Sequence, residues 1–285
     1  MVNPTYEKLG SAPSMIRELF AYGLRRSAEV GPEHVYDYSL GNPSIPAPQP
    51  VQQALLDVLH DTDPIQVHGY SMAGGFDGTR RAVAEDLTRR FGMTIRPEEL
   101  FFTCGAAAAL ISVIRALTVS PDSEFVAIAP YFPEYLPFVE SNGGKLVSVP
   151  ADLDTFQISL DILEAHLTSH TQAVLVNSPN NPTGCVYTKE TLDAVHAILR
   201  DKPIFVLCDD VYRTLTYCED YHSFAEYQDM RDRIIVVQSF SKPYAMTGWR
   251  LGYCMADAKL MDRIQVFHQY CVTSVPSFVQ RACVT

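Results

Sequence analysis

The chain has no run of lysines and arginines, and its 285 residues carry a net charge of −11. A surface that tracks phosphates needs clustered cations, so nucleic acid and anionic membranes are poor partners for it. It also lacks any stretch approaching the roughly 18 consecutive apolar residues of a membrane span. The start, Met-Val-Asn-Pro-Thr-Tyr-Glu7, has neither a basic nor an apolar segment, which argues against a secretory leader and for a cytoplasmic protein. No C-x-x-C pair occurs among the seven cysteines. Cys104, Cys208, Cys254 and Cys271 sit in apolar runs, and the set reads as reduced thiols packed in a core. His166 and His170 are spaced as a metal pair but have no third or fourth ligand, so no metal site is expected. There are no internal repeats and no low-complexity linker. A hydrophobic content of 47% is enough to bury the core of one large domain or two.

Along the chain, residues 14–29 show a helical period behind a Ser14 cap. Residues 36–40 read as a short strand, and Leu40-Gly-Asn-Pro-Ser-Ile-Pro-Ala-Pro48 as a loop that offers amides and the Asn42 side chain to a ligand. Residues 51–60 are helical, and 68–75 form a loop entering a helix over 76–90. From residue 100 the chain alternates strand-like and helical runs. The strands are 100–104, 124–129, 145–149, 173–177, 204–209, 234–239 and 251–255; the main helices are 106–117, 134–142, 160–167 and 189–200. That alternation predicts an α/β fold, a mostly parallel sheet with helices on both faces and chemistry at the strands' carboxyl ends.

Five of those strand ends are unusual. Gly105-Ala-Ala-Ala-Ala109 opens a helix with small residues, whose free amides suit a phosphate. Pro130-Tyr-Phe-Pro-Glu-Tyr135 presents rings that can stack on a flat heterocycle or simply pack. Asn177-Ser-Pro-Asn-Asn-Pro-Thr-Gly184 uses two prolines to fix the aim of Asn180 and Asn181. Asp209 ends a very apolar strand, where a carboxylate is costly without a positive partner, and the next residue, Asp210, should point the other way. Ser239-Phe-Ser-Lys242 delivers a lysine to the same edge, where apolar walls favour its neutral amine. Arg250 follows between Gly248 and Gly252, which would let the backbone turn tightly and bring the guanidinium close. An amine for an aldehyde and an arginine fork for a phosphate are the chemistry of pyridoxal 5′-phosphate (PLP).

In this order, Asn-Asn-Pro-Thr-Gly and Ser-x-Ser-Lys-(x)7-Arg-x-Gly resemble the class I/II, fold-type I PLP-dependent aminotransferases related to aspartate aminotransferase, from about Tyr38 to the end. The resemblance implies that Lys242 carries the cofactor and moves the Cα proton, and that Asp209 pairs with the pyridinium. It implies that Tyr212 and Asn181 bond the ring hydroxyl, and that Phe132 stacks on the ring. Gly105, Ala106, Ala107, Ser239, Ser241 and Arg250 would hold the phosphate. Tyr70 would reach the phosphate of a neighbouring subunit, which implies a homodimer. Gly41 and Asn42, with Asn181, would meet the substrate. The Ala-Ala pair departs from the hydroxyl-bearing phosphate loop of the family, leaving backbone amides to do that work.

The activity implied is transamination between an amino acid and a 2-oxo acid. A PLP lyase of the β-elimination or cyclopropane-forming type shares these cofactor motifs. A PLP-binding sensor domain of a transcription regulator would need a basic DNA-binding segment, which the acidic N-terminal part does not provide. Relatives are expected to run to roughly 400 residues on the same resemblance. The chain therefore reads as residues 1–45, an N-terminal arm and the start of a small domain, and residues 46–285, a large PLP-binding domain ending in an interdomain helix. Most of the small C-terminal domain, with the arginine that clamps the substrate carboxylate, is expected to be missing.

Overall fold

The computed structural model describes residues 1–11 and 15–284. The chain divides into two compact units, Met1–Ile45 and Pro46–Thr285. The first holds helices α1 (Pro4–Ser11) and α2 (Met15–Val30). The Ser14 cap lies outside the described residues. The strand expected over residues 36–40 does not form, and Tyr36 and Tyr38 are exposed. Instead the Asp37 carboxylate accepts from the Ser39 amide (2.8 Å) and hydroxyl (2.6 Å), a local turn that competes with extended pairing.

The second unit begins with helices α3 (Gln49–Asp61), α4 (Pro64–His68) and α5 (Asp77–Phe91). Strands β1 (Leu100–Thr103), β2 (Glu124–Ala129), β3 (Lys145–Pro150) and β4 (Thr171–Asn177) follow, separated by α6 (Ala106–Leu117), α7 (Tyr135–Glu140) and α8 (Leu160–His166). Then come α9 (Lys189–Leu199), β5 (Phe205–Asp209), β6 (Ile234–Ser239), β7 (Gly252–Met255), α10 (Ala258–Val272) and α11 (Ser277–Ala282). The seven strands form one sheet in the order β1-β7-β6-β5-β4-β2-β3, with β7 running against the other six. The expected mostly parallel sheet is present, and β7 makes it mixed.

Strand alternation splits the core in two. Val206, Cys208, Val236 and Ile234 face a layer that includes Val83 and Leu87 of α5, Leu192 and Val195 of α9, and Val279 of α11. Leu207, Ile235 and Val237 face Leu110, Val113 and Ile114 of α6, Tyr135 of α7, and Met261 and Ile264 of α10. Helices thus cover both faces, each fully buried Leu or Ile contributing about 1.5–3 kcal/mol of transfer free energy.

Two cysteines depart from the core reading. Cys208 and Cys254 are buried, but Cys218 and Cys271 are exposed. The buried stripe of α10 ends at His268, and the apolar neighbours that suggested burial, Tyr270 and Val272, are exposed as well. Among the described residues no helix is long and apolar enough to cross a membrane.

Candidate active site

Strands β4 and β5 end in register, Asn177 opposite Asp209, and β6 runs two residues further, from Val237 opposite Asp209 to Ser239. Their carboxyl ends therefore set Asn177, Asp209 and Ser239 along one edge. Asp209 lies on the α6–α7–α10 side, where its Oδ2 accepts from the Tyr135 hydroxyl at 2.6 Å. Asp210 lies on the other side, buried, its Oδ2 accepting from Ser223 Oγ at 2.7 Å. The two adjacent carboxylates do face opposite ways. Burial pushes the Asp209 carboxyl up to about 6, against the downward pull of the Tyr135 hydroxyl and the Val211 amide. Asp209 Oδ1 is buried and has no partner among the described residues.

From Asp209 a chain of contacts runs through the Asn-Asn-Pro-Thr-Gly loop. Asn177 Nδ2 donates to the Asp209 carbonyl (2.8 Å), and Asn177 Oδ1 accepts from the Asn181 amide (2.7 Å). Asn181 Nδ2 in turn donates to the Tyr212 hydroxyl at 3.3 Å. Lys242 Nζ stands 6.0 Å from the centroid of the Tyr212 ring. Burial, then the Arg250 guanidinium, hold the Lys242 ammonium below its usual range. The peptide bonds before Pro130, Pro179 and Pro182 are cis.

The other end of the site is the turn between β1 and α6. Gly105 has φ 81° and ψ 170°, a conformation essentially closed to side chains. A Cβ there would stand 2.4 Å from Arg250 Nη2, so the glycine makes room for the guanidinium. Arg250 itself takes the left-handed conformation (φ 51°) and donates to the carbonyls of Thr247 (3.1 Å) and Cys104 (3.4 Å). Gly252 is also needed, since a Cβ would come within 2.9 Å of the Ala106 nitrogen. The tight turn expected of Gly248 is not required of it: its surroundings are open, and the unusual dihedral falls on Arg250. Ser239 Oγ accepts from the Ser241 amide at 3.0 Å, and both serines are buried. Ala106 and Ala107 form the first turn of α6.

These residues fit PLP. The buried, unpartnered Asp209 Oδ1 suits a ring N–H⁺, the α6 amides with Arg250 suit a phosphate, and Lys242 suits an aldehyde. Phe132 sits beside this ring of contacts, packed edge-on against Tyr135 with centroids 5.6 Å apart. Tyr70 is 87% exposed. Gly41 and Asn42 belong to the first unit, where the Asn42 amide donates to the Leu40 carbonyl.

Two residues in the site's support escaped the sequence reading. In the sequence Tyr135 reads as one ring of an aromatic turn, and its hydrogen bond to Asp209 shows only in the fold. His268 is the other: its Nε2 accepts the Cys104 amide at 3.1 Å, and burial lowers the imidazole to about 4, so it stays neutral and ties α10 to the β1–α6 turn. Each partner lies far away in sequence, and a pattern of near neighbours carries no trace of it.

The profile of the family described as "Aminotransferase class I and II" matches residues 34–285. The aspartate aminotransferase of Thermotoga maritima is 31% identical over 250 residues, 86% of this chain and 65% of that protein. The aromatic-amino-acid aminotransferase 2 of Thermococcus litoralis is 33% identical over 275 residues, 95% of this chain and 67% of that protein. Among solved structures, an aminotransferase from Eubacterium rectale superposes with a TM-score of 0.92 at 40% identity, covering 100% of this chain and 74% of its own. The chain spans 53% to 68% of the length of the curated relatives it matches. A strand edge whose residues fit PLP agrees with that likeness, and the chain belongs to the class I and II aminotransferases, a family that works with PLP.

Proposed function

We propose that the protein transfers an amino group between an amino acid and a 2-oxo acid, with Lys242, Asp209 and Tyr212 as its catalytic residues. The observation that carries this is the gathering of these groups at one sheet edge: Lys242 Nζ stands 6.0 Å from the Tyr212 ring, Asn181 bonds the Tyr212 hydroxyl, and Asn177 joins the Asn181 amide to the backbone carbonyl of Asp209. PLP, when bound, supplies an aldehyde for the amino group and an electron sink for the Cα electrons. The chain's own residues do the rest. Lys242, whose ammonium form burial disfavours, takes the Cα proton and returns it. Asp209, at the end of β5, keeps a negative charge beside the ring nitrogen and so keeps that nitrogen protonated. Tyr212 and Asn181 bond the ring hydroxyl, and Phe132 covers one face of the ring. The amides of Gly105, Ala106 and Ala107, with Ser239, Ser241 and Arg250, fix the phosphate and with it the distance of every reacting atom from Lys242.

Residues 46–285 serve as the large cofactor domain, its α10 leading toward the small one, and residues 1–45 as the arm and the start of the small domain. In this reading Gly41 and Asn42 meet the substrate carboxylate. Tyr70, exposed in a single chain, reaches the phosphate of a second copy in a homodimer. A cytoplasmic location suits seven cysteines that are all free. Relatives named for aspartate, aromatic amino acids and N-acetyl-LL-diaminopimelate support amino and 2-oxo acids as the substrate class. The test is product analysis with PLP, an amino acid panel and 2-oxoglutarate. Transamination moves the amine onto the second oxo acid, whereas release of ammonia without a new amino acid would overturn the proposal in favour of elimination.

A further inference from the structure

We propose that Tyr135 is a positioning residue that aims Asp209 at the cofactor ring and at the same time sets the tilt of the stacking ring, Phe132. This rests on the reading of Asp209 as the ring-nitrogen partner. Tyr135 opens α7 and is fully buried in the core layer between α6 and the sheet. A buried phenol needs a hydrogen-bond partner, and this one donates to Asp209 Oδ2 at 2.6 Å, a short charge-assisted bond. Pinning one oxygen fixes the plane of the carboxyl group and leaves Oδ1, buried and unpartnered among the described residues, as the oxygen that faces a ring N–H. The nearby amide of Asn177 does not share this task, because its Nδ2 goes to the backbone carbonyl of Asp209. The same phenol ring meets Phe132 edge-on, with an interplanar angle of 87°. One side chain thus touches both residues that would hold the ring, one at its edge and one at its face.

The hydroxyl also bears on the charge of Asp209. Burial places that carboxyl at about 6, and the Tyr135 bond is the foremost influence pulling it down. Burial and the neighbouring carboxylate raise the phenol well above its ordinary value, so it remains a donor throughout the working pH range. Without the hydroxyl Asp209 would be neutral at pH 7 more of the time, and a neutral acid does not hold a pyridinium.

The experiment compares PLP with 1-deaza-PLP, which replaces the ring nitrogen by carbon, in binding to the wild type and to Tyr135→Phe. The expected result is a loss of PLP affinity of about ten- to a hundredfold in the variant, with affinity for the deaza analogue changed less than about threefold. Equal losses for both cofactors would overturn the proposal, since a packing defect cannot sense the ring nitrogen. A second comparison guards against a variant that folds poorly. In an Asp209→Asn background, Tyr135→Phe should cost little further PLP affinity, whereas a full additive loss would again refute the proposal. A wild type that binds neither cofactor at Lys242 instead sinks the reading of the site, so the two failures are distinguishable.

Discussion

Gly105→Ala isolates the proposed phosphate end of the site. The perturbation has two parts. The backbone at φ 81°, ψ 170° excludes a side chain, at a cost of roughly 1–3 kcal/mol. The new Cβ would also stand 2.4 Å from Arg250 Nη2, so the guanidinium must shift away from the β1–α6 turn. The strain acts with or without cofactor, and at about 2–4 °C per kcal/mol for a unit of this size it lowers Tm by roughly 2–12 °C. Displacing Arg250 acts only on a bound phosphate and removes a charge-assisted hydrogen bond of about 1.5–3 kcal/mol, or ten- to a hundredfold in affinity. The assay is titration of the wild type and the variant with PLP and with pyridoxal, which lacks the phosphate, alongside thermal unfolding without cofactor. The preference for PLP over pyridoxal should fall by about ten- to a hundredfold. A lowered Tm with an unchanged preference would refute the reasoning, because the glycine would then be structural and the phosphate would sit elsewhere.

Three further outcomes follow from the buried carboxylates. Asp209→Ala should leave PLP bound through Lys242 and the phosphate residues, yet slow Cα–H exchange by several orders of magnitude, which deuterium exchange of the bound amino acid measures. Asp210→Ala should leave that exchange nearly intact and instead cost about 1–3 kcal/mol of stability in urea unfolding, since it strands the buried Ser223 hydroxyl. Without cofactor, Asp209 titrates near 6 in the folded chain, above its unfolded value, so its contribution to stability is complete below pH 4 and lost as pH rises through 6. Raising that carboxyl from its ordinary value to about 6 corresponds to about 3 kcal/mol, and Asp209→Asn should flatten that part of the stability–pH curve.

How much of this could be read from the sequence depended on how local its cause was. The bounds of β2 and β6 match the apolar runs that announced them, because burial on both faces leaves a continuous hydrophobic stretch. Helix α6 begins at Ala106 and ends at Leu117 as its period indicates. Strand β4 starts earlier than its apolar run, at Thr171, because pairing with Glu124 of β2 recruits the polar residues ahead of it. Residues 36–40 failed as a strand because Asp37 offers its own backbone a closer partner. Of the proposed site residues, Lys242, Asp209, Asn181 and Arg250 are legible in the sequence because each stands in a short motif. Tyr135 could not, since its partner comes from another strand end, and an aromatic turn looks the same whether its hydroxyl is bonded or not. The glycine beside Arg250 that the backbone needs also emerged only in three dimensions, where Gly252 meets the Ala106 nitrogen and Gly248 meets open space.

The central claim is that Lys242 is the amine that holds PLP, and the most direct measurement is chemical. The chain is incubated with PLP, reduced with borohydride and digested, and the pyridoxyl group is located by mass spectrometry. The label should fall on Lys242 alone, at one equivalent, and Lys242→Ala should abolish it. A label on Lys202 or Lys259, or one spread over several lysines, would contradict the assignment of the site.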